Sequence, residues 1–219
     1  MDVGFYGINL NHSFVVEAIG YSGSLDQPNI WEVLNNNAVG NIFVVLMGTL
    51  PGYWVTIALI EKLGRKKIQI IGFVGLGVTL LVLGTAYDKL KLASKGAFIF
   101  IFTLMQFFQN FGPNATTFVF PGELFPTRYR STAFGISAAA GKLGAIISSA
   151  GLFQLKDIGG KNAQVPTLLI IFSVFMVVGL IFTFLLPETK GKTLEQLSND
   201  EEIPKIVQLE GIDNAILRL

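Results

Sequence analysis

The chain has 219 residues and a formal net charge of +1, and only 14% of its residues are charged whereas 51% are hydrophobic. A charged fraction so far below the roughly 25% of soluble domains excludes a soluble enzyme, and the near-neutral charge gives no reason to expect a nucleic-acid partner. The absence of cysteine excludes disulfides and thiolate metal sites. Because we also recognise no nucleophile–base pair, metal cluster or phosphate loop, we expect neither an enzyme nor a bound cofactor.

Long stretches without charge predict membrane-spanning helices, each of which needs about 20 residues at about 1.5 Å of rise per residue. Five stretches qualify, and a single lysine interrupts the fourth: residues 33–60, 68–87, 96–122, 131–155 and 162–187. Ten of the 16 lysines and arginines follow the first, third and fifth spans, which places those connections in the cytoplasm. We therefore expect an all-α membrane protein in a lipid bilayer, with a cytoplasmic carboxy-terminal tail.

The first apolar stretch, from Met1 to about Gly20, reads as the outer part of a sixth helix, because the same orientation places residues 20–32 outside. Its inner part is missing, so we expect the chain to be a fragment of a longer polypeptide. Asp2 would then lie near the bilayer midplane, with Tyr6 one turn further out on the same face. An ionisable residue inside a span is a candidate functional residue by default.

The third span carries Asn110 and Asn114 near its centre, one turn apart on one face. Gly112 and Pro113 lie between them, and the proline must disturb the helix because it lacks an N–H and clashes with the preceding turn. Broken helices at this depth line substrate sites in transporters. The alternative is a proline kink whose polar neighbours are buried between helices.

Lys142 lies at the centre of the fourth span, among small residues that leave room for a neighbouring helix or a ligand. It predicts either a structural ion pair between helices or a cation that binds an anion or takes part in proton coupling. With Asp2 and the two asparagines it would form one polar layer at the midplane. That layer would hold a carboxylate for protons and an ammonium and amide donors for an anion.

The cytoplasmic connections carry carboxylates and guanidinium groups that can pair across helix ends. The candidates for such pairs are Glu61, Arg65, Glu123, Arg128 and Arg130. They would form a cytoplasmic gate that closes in one conformation and opens in the other, or alternatively they would only set the topology. After Pro187 the composition becomes polar, and a short amphipathic surface helix is predicted from Thr193.

These cytoplasmic segments resemble the major facilitator superfamily. Residues 61–67 are similar to its basic loop motif, although Glu61 replaces the Asp and Ile57 the leading Gly, and residues 121–130 and 187–191 resemble its sugar-porter branch. The longer stretch from Gln106 to Ala145, residues 51–54 and the opening Asp-Val-Gly-Phe-Tyr resemble the fungal and plant proton-coupled inorganic phosphate transporters.

The resemblance implies a division of the chain and a set of site residues. Residues 1–187 would be the carboxy-terminal bundle of a twelve-helix plasma-membrane carrier, with its first helix truncated, and residues 188–219 a cytoplasmic tail. The implied phosphate-contacting residues are Asp2, Tyr6, Asn114, Asn110 and Lys142, of which Asn114 matches better than Asn110. Asp2 would also accept the transported proton.

The function implied is proton-coupled phosphate import by alternating access. The partners implied are inorganic phosphate, protons and the amino-terminal six-helix half of the same carrier. Two alternatives stay open at this point: a porter for a sugar or an organic anion, and a non-transporting membrane protein that senses phosphate.

Overall fold

A computed structural model describes residues 1–9, 30–93, 95–160 and 162–192, together with Leu194 and Leu197. Every regular element in these residues is a helix, as predicted for an all-α fold. The α-helices are α1 Asp2–Asn9, α2 Ile30–Val44, α3 Leu50–Leu63, α4 Arg65–Ala93, α5 Lys95–Asn110, α6 Pro113–Leu124, α7 Arg130–Ile146 and α8 Val165–Leu185.

Four of the five predicted spans are helical segments long and apolar enough to cross a membrane, within the part of the chain described. These segments are Ile30–Leu63, Arg65–Leu90, Arg130–Asp157 and Val165–Leu185. A π-helical turn, Val45–Thr49, joins α2 to α3, and α7 continues through a π-helical turn and the 3-10 helix Leu152–Asp157. A single residue, Gly64, separates α3 from α4.

The third predicted span is broken where Gly112 and Pro113 lie, as the sequence predicted. Gly112 has φ 123° and ψ −97°, a conformation that favours glycine, and Pro113 opens α6 at a position where its missing N–H costs nothing. A Cβ atom at Gly112 would lie 2.7 Å from the carbonyl oxygen of Ile68. The glycine therefore allows both the break and its close packing against α4.

The apolar core lies between α4, α5 and α8, and α4 packs along both of the others. Its members include Phe73, Leu76, Leu80 and Leu83 of α4, Phe98, Phe102 and Met105 of α5, and Leu168, Leu169, Phe172 and Met176 of α8. By contrast, almost none of the residues described in the Arg130–Asp157 segment is buried. That segment contains α7, which lies at the edge of the bundle, where α1 packs against it.

Two predicted features fall mainly outside the described residues. The continuation of the first helix beyond Asn9 is one, and the amphipathic helix from Thr193 is the other, since only Leu194 and Leu197 of it are described. Both stay predictions.

Candidate functional site

A cavity of about 570 Å³ lies between α1, α6 and α7. Asp2 and Tyr6 of α1, Asn114 of α6 and Lys142 of α7 line it. Four of the five residues that the resemblance implied as phosphate contacts therefore share one cavity, although they are spread along the sequence. Much of the remaining wall is apolar: Phe5, Phe118, Phe120, Leu124, Phe134 and Leu186.

Lys142 and Tyr6 form the polar contact between α7 and α1. The Lys142 ammonium donates a hydrogen bond to Tyr6 Oη at 2.5 Å, and its Nζ lies 4.6 Å from the centroid of the tyrosine ring. Lys142 is exposed to the cavity, and its interhelical partner is a hydroxyl rather than a carboxylate. Because an ammonium carries three hydrogens and a phenol can donate while it accepts, the pair can offer donors to an anion.

Asp2 is brought to the cavity wall by two glycines of α7. A Cβ atom on Gly141 would overlap Asp2 Oδ2, and one on Gly144 would lie 3.2 Å from Cγ2 of Val3. Small residues let two membrane helices approach closely, so α1 can lie directly on α7 here. The contact places the Asp2 carboxylate next to the backbone that carries Lys142.

The two asparagines have different positions. Asn114 lines the cavity, and its Nδ2 donates to Asn110 Oδ1 at 2.9 Å and to the hydroxyl of Tyr53 on α3. Asn110 is only 2% exposed and donates its own Nδ2 to the carbonyl oxygen of Gln106 at 2.7 Å. Asn110 is not among the residues that line the cavity, and its contact with an anion stays a prediction.

Tyr53 is a site neighbour that the sequence did not indicate. It lies in the first full span, and a phenol among apolar residues gave no signal of a polar partner on another helix. Only the resemblance of residues 51–54 to the phosphate transporters drew attention to this segment.

The charged end of the bundle, where α3 meets α4 and where α6 and α8 end, contains a second polar cluster. Arg65 forms ion pairs with Glu61 at 2.8 Å and Glu123 at 3.1 Å. Thr189 donates its hydroxyl hydrogen to the other carboxylate oxygen of Glu123. Glu188 Oε1 accepts the backbone N–H of Arg65 at 3.0 Å. Three of the five predicted gate residues thus meet, and the segment after α8 joins them.

The other two predicted gate residues, Arg128 and Arg130, do not belong to this cluster. Arg130 donates from Nε to the carbonyl oxygen of Phe125 at 3.1 Å, and Arg128 is exposed. Neither forms an ion pair with a residue of the described ranges. The sequence had placed Glu188 in a recognised motif without giving it a role. In the structure its carboxylate caps the first turn of α4, whose N–H groups have no partner within the helix.

Comparison with known proteins identifies the relatives of this chain. The profile of the family described as "Sugar (and other) transporter" matches residues 20–200. The chain is 47% identical over 205 residues to the repressible high-affinity phosphate permease of Neurospora crassa, covering 91% of this chain and 35% of that protein.

Two further relatives are a yeast and a plant protein. Identity is 45% over 225 residues with the inorganic phosphate transporter PHO84 of Saccharomyces cerevisiae, covering 99% of this chain and 37% of that protein. It is 44% over 204 residues with the inorganic phosphate transporter 1-11 of Oryza sativa subsp. japonica, covering 92% of this chain and 36% of that protein. The chain therefore spans little more than a third of the length of these relatives.

Proposed function

Since the chain belongs to the sugar (and other) transporter family of the major facilitator superfamily, we propose that it is the carboxy-terminal half of a proton-coupled carrier. That carrier would import inorganic phosphate through the plasma membrane by alternating access. The observation that carries the proposal is the cavity shared by Asp2, Tyr6, Asn114 and Lys142. The names of the relatives, which are phosphate carriers, support the choice of substrate.

The proposed partner of this chain is an amino-terminal six-helix half. The relatives of this chain are almost three times as long as the matched segment. The Arg130–Asp157 helical segment, which forms one cavity wall, has almost no buried residue in the part of the chain described. Substrate sites in transporters of this kind lie between two bundles near the bilayer midplane. The second half would therefore close the cavity and supply the remaining ligands.

Phosphate is held in this proposal chiefly by Lys142 and Tyr6. Both line the cavity and are already hydrogen-bonded to each other, so a bound oxyanion needs no large rearrangement to reach them. Hydrogen bonds from a charged donor are roughly twice as strong as neutral ones. An ammonium at this depth in a membrane is costly unless an anion or another partner balances it, which favours an anionic substrate.

Asp2 is the proposed carrier of the proton, because its carboxylate lies on the same wall. A nearby anion disfavours the ionised carboxylate, so phosphate binding favours proton uptake by Asp2. The effect is reciprocal, and a proton on Asp2 favours phosphate binding by the same factor. An inward proton gradient would then drive phosphate accumulation.

The cluster at the charged end, which we place in the cytoplasm, is the proposed gate. Arg65 and Glu123 tie the start of α4 to the end of α6, and Thr189 ties both to the segment after α8. Bistable polar contacts of this kind are a common basis of switching. Inward opening is proposed to separate these pairs, with Arg128 and Arg130 contributing to the gate in one of the two conformations.

A porter for another solute is the nearest rival, because the family description covers sugars. The ammonium and carboxylate on the cavity wall favour an anion that travels with a proton over a neutral hexose. The test is uptake of labelled phosphate into proteoliposomes that contain the full-length polypeptide, with an acidic exterior and with hexoses, sulfate or organic anions as competitors. We expect gradient-driven phosphate uptake that a protonophore abolishes and that hexoses leave unchanged.

Two results would contradict this proposal. Uptake of a hexose with competition between hexose and phosphate would identify a sugar porter. Phosphate binding without flux in the full-length polypeptide would identify a phosphate-sensing membrane protein instead.

A further inference from the structure

The hydrogen bonds around Asn110 fix the orientation of its amide. Its Nδ2 lies 2.7 Å from the carbonyl oxygen of Gln106, and a carbonyl oxygen can only accept. The amide nitrogen of Asn110 must therefore face that carbonyl. Its Oδ1 is left facing Asn114, across the break between α5 and α6.

The orientation of the Asn110 amide determines the orientation of the Asn114 amide. Asn110 Oδ1 can only accept, so the atom of Asn114 that lies 2.9 Å from it must be Nδ2. The other hydrogen of the same nitrogen goes to the hydroxyl of Tyr53. A side-chain amide has two hydrogens, and both are now used by the protein.

The atom of Asn114 that remains for a ligand is the carbonyl oxygen Oδ1. No donor in the described ranges reaches it, and it is not among the buried side-chain atoms of these ranges that lack a hydrogen-bond partner, so it is accessible. Asn114 itself is half-buried on the cavity wall. The polar atom that Asn114 has available for a ligand in the cavity is therefore an acceptor, whereas the sequence had led us to expect an amide donor.

We propose that this acceptor selects oxyanions that carry a hydroxyl group, and that it excludes oxyanions without one. The inference rests on the proposed function and adds a specificity-determining residue to it. Both ionic forms of phosphate present near neutral pH, H₂PO₄⁻ and HPO₄²⁻, have at least one P–OH that can donate to Asn114 Oδ1. Sulfate has no hydrogen, so the same carbonyl oxygen would face a second acceptor, and both would lose their water without gaining a hydrogen bond.

The polar groups that we assign to the oxygens of the anion are of two kinds. Lys142 and Tyr6 supply donors for the unprotonated oxygens of the anion, and Asn114 Oδ1 supplies an acceptor for its hydroxyl. A carboxamide oxygen is an acceptor at every pH, so Asn114 offers its acceptor whether or not Asp2 carries a proton. Asn110 acts as a positioning residue, because without it the Asn114 amide can turn over and present an N–H.

The test on the unaltered full-length polypeptide is competition for labelled phosphate uptake by arsenate, sulfate and difluorophosphate. Arsenate keeps the hydroxyl, whereas difluorophosphate has the single charge and shape of H₂PO₄⁻ with fluorine in place of both hydroxyls. We expect arsenate to compete within about tenfold of phosphate and the other two to be at least about a hundredfold weaker, since a site built to pair a hydroxyl rejects analogues that lack it. Difluorophosphate that competes as well as phosphate would overturn the inference, because charge and shape would then suffice.

The positioning role is tested by Asn110→Ala, with Thr116→Val as the control. Thr116 lies on α6, is fully buried and donates to the carbonyl oxygen of Gly112 at 2.8 Å, away from the cavity. We expect Asn110→Ala to reduce the discrimination against sulfate and difluorophosphate by at least about tenfold, and Thr116→Val to leave it unchanged. Unchanged discrimination in Asn110→Ala would overturn the positioning role.

The competition experiment on the unaltered protein decides the inference even where Asn110→Ala does not fold. It also separates this inference from the function on which it rests. Absence of phosphate uptake would overturn the proposed function. Phosphate uptake with equal competition by difluorophosphate would overturn only the selection by Asn114 and would leave the proposed function intact.

Discussion

Replacing Gly141 by alanine tests whether the close contact between α1 and α7 sets the direction of the Asp2 carboxylate. Gly135 lies in the same helix and provides a matched control. A Cβ atom on Gly141 would overlap Asp2 Oδ2, whereas one on Gly135 has no atom of the described chain within 4 Å. Alanine inside a helix is favoured over glycine by about 1 kcal/mol. This effect is the same for both substitutions, so they differ only in the contacts of the new methyl group.

The expected result depends on which atom of Asp2 the new methyl group of Gly141→Ala would overlap. The overlapping atom is the end of the Asp2 side chain, and Cβ of Asp2 would lie 3.9 Å from the new methyl group. The carboxylate can therefore turn away while the backbone of α1 stays in place. A displacement of about 1 Å at a reacting group can cost about a hundredfold in rate. We predict that Gly141→Ala lowers proton-driven phosphate uptake by at least about tenfold without lowering the melting temperature.

The assay needs both readouts on the purified full-length polypeptide. Initial uptake is measured in proteoliposomes at equal protein and equal pH gradient, and the melting temperature is measured on the same preparation. Gly135→Ala should keep both within the error of the unaltered protein or raise the melting temperature slightly. Equal uptake by Gly141→Ala and Gly135→Ala would refute the link between this helix contact and Asp2.

Three further substitutions probe the anion site, the helix break and the charged end. Lys142→Met should raise the KM for phosphate by at least about tenfold, since it removes charge-assisted donors; an unchanged KM would contradict its role. Gly112→Ala should cost about 1–3 kcal/mol because of its positive φ, seen as a lower melting temperature; an unchanged value would contradict the strain. Glu123→Gln should cost about 1.5 kcal/mol or more of unfolding free energy. The control Glu61→Gln should cost under about 1 kcal/mol, because the Glu61 side chain is 71% exposed against 20% for Glu123; equal costs would contradict this ranking.

The helical architecture was predictable because it follows from local features of the chain. A span needs only length and the absence of charge, and four of the five stretches that met both conditions are helical segments long and apolar enough to cross a membrane in the part of the chain described. The break at Gly112 and Pro113 was predictable for the same reason, since one residue lacks a side chain and the other an N–H. The depth of Asp2 and Lys142 in their spans then brought them to one layer, and the structure places both on one cavity.

The parts that the sequence did not reveal depend on pairing between helices. The partner of Tyr53 lies 61 positions further along the chain, and no local pattern specifies such a contact. The orientation of the Asn114 amide depends on two successive hydrogen bonds, from Asn110 to the backbone carbonyl oxygen of Gln106 and from Asn114 to Asn110. The capping of α4 by Glu188 likewise requires knowing that the end of α8 returns to the start of α4.

The most direct test of the proposed function is phosphate accumulation driven by a proton gradient, measured for the full-length polypeptide and for its Asp2→Asn variant. We predict that the unaltered protein accumulates phosphate when the exterior is acidic. The variant should lose gradient-driven accumulation while it still binds phosphate, because a carboxamide cannot take up and release the proton. Accumulation by Asp2→Asn at the level of the unaltered protein would contradict the assignment of Asp2 as the proton carrier.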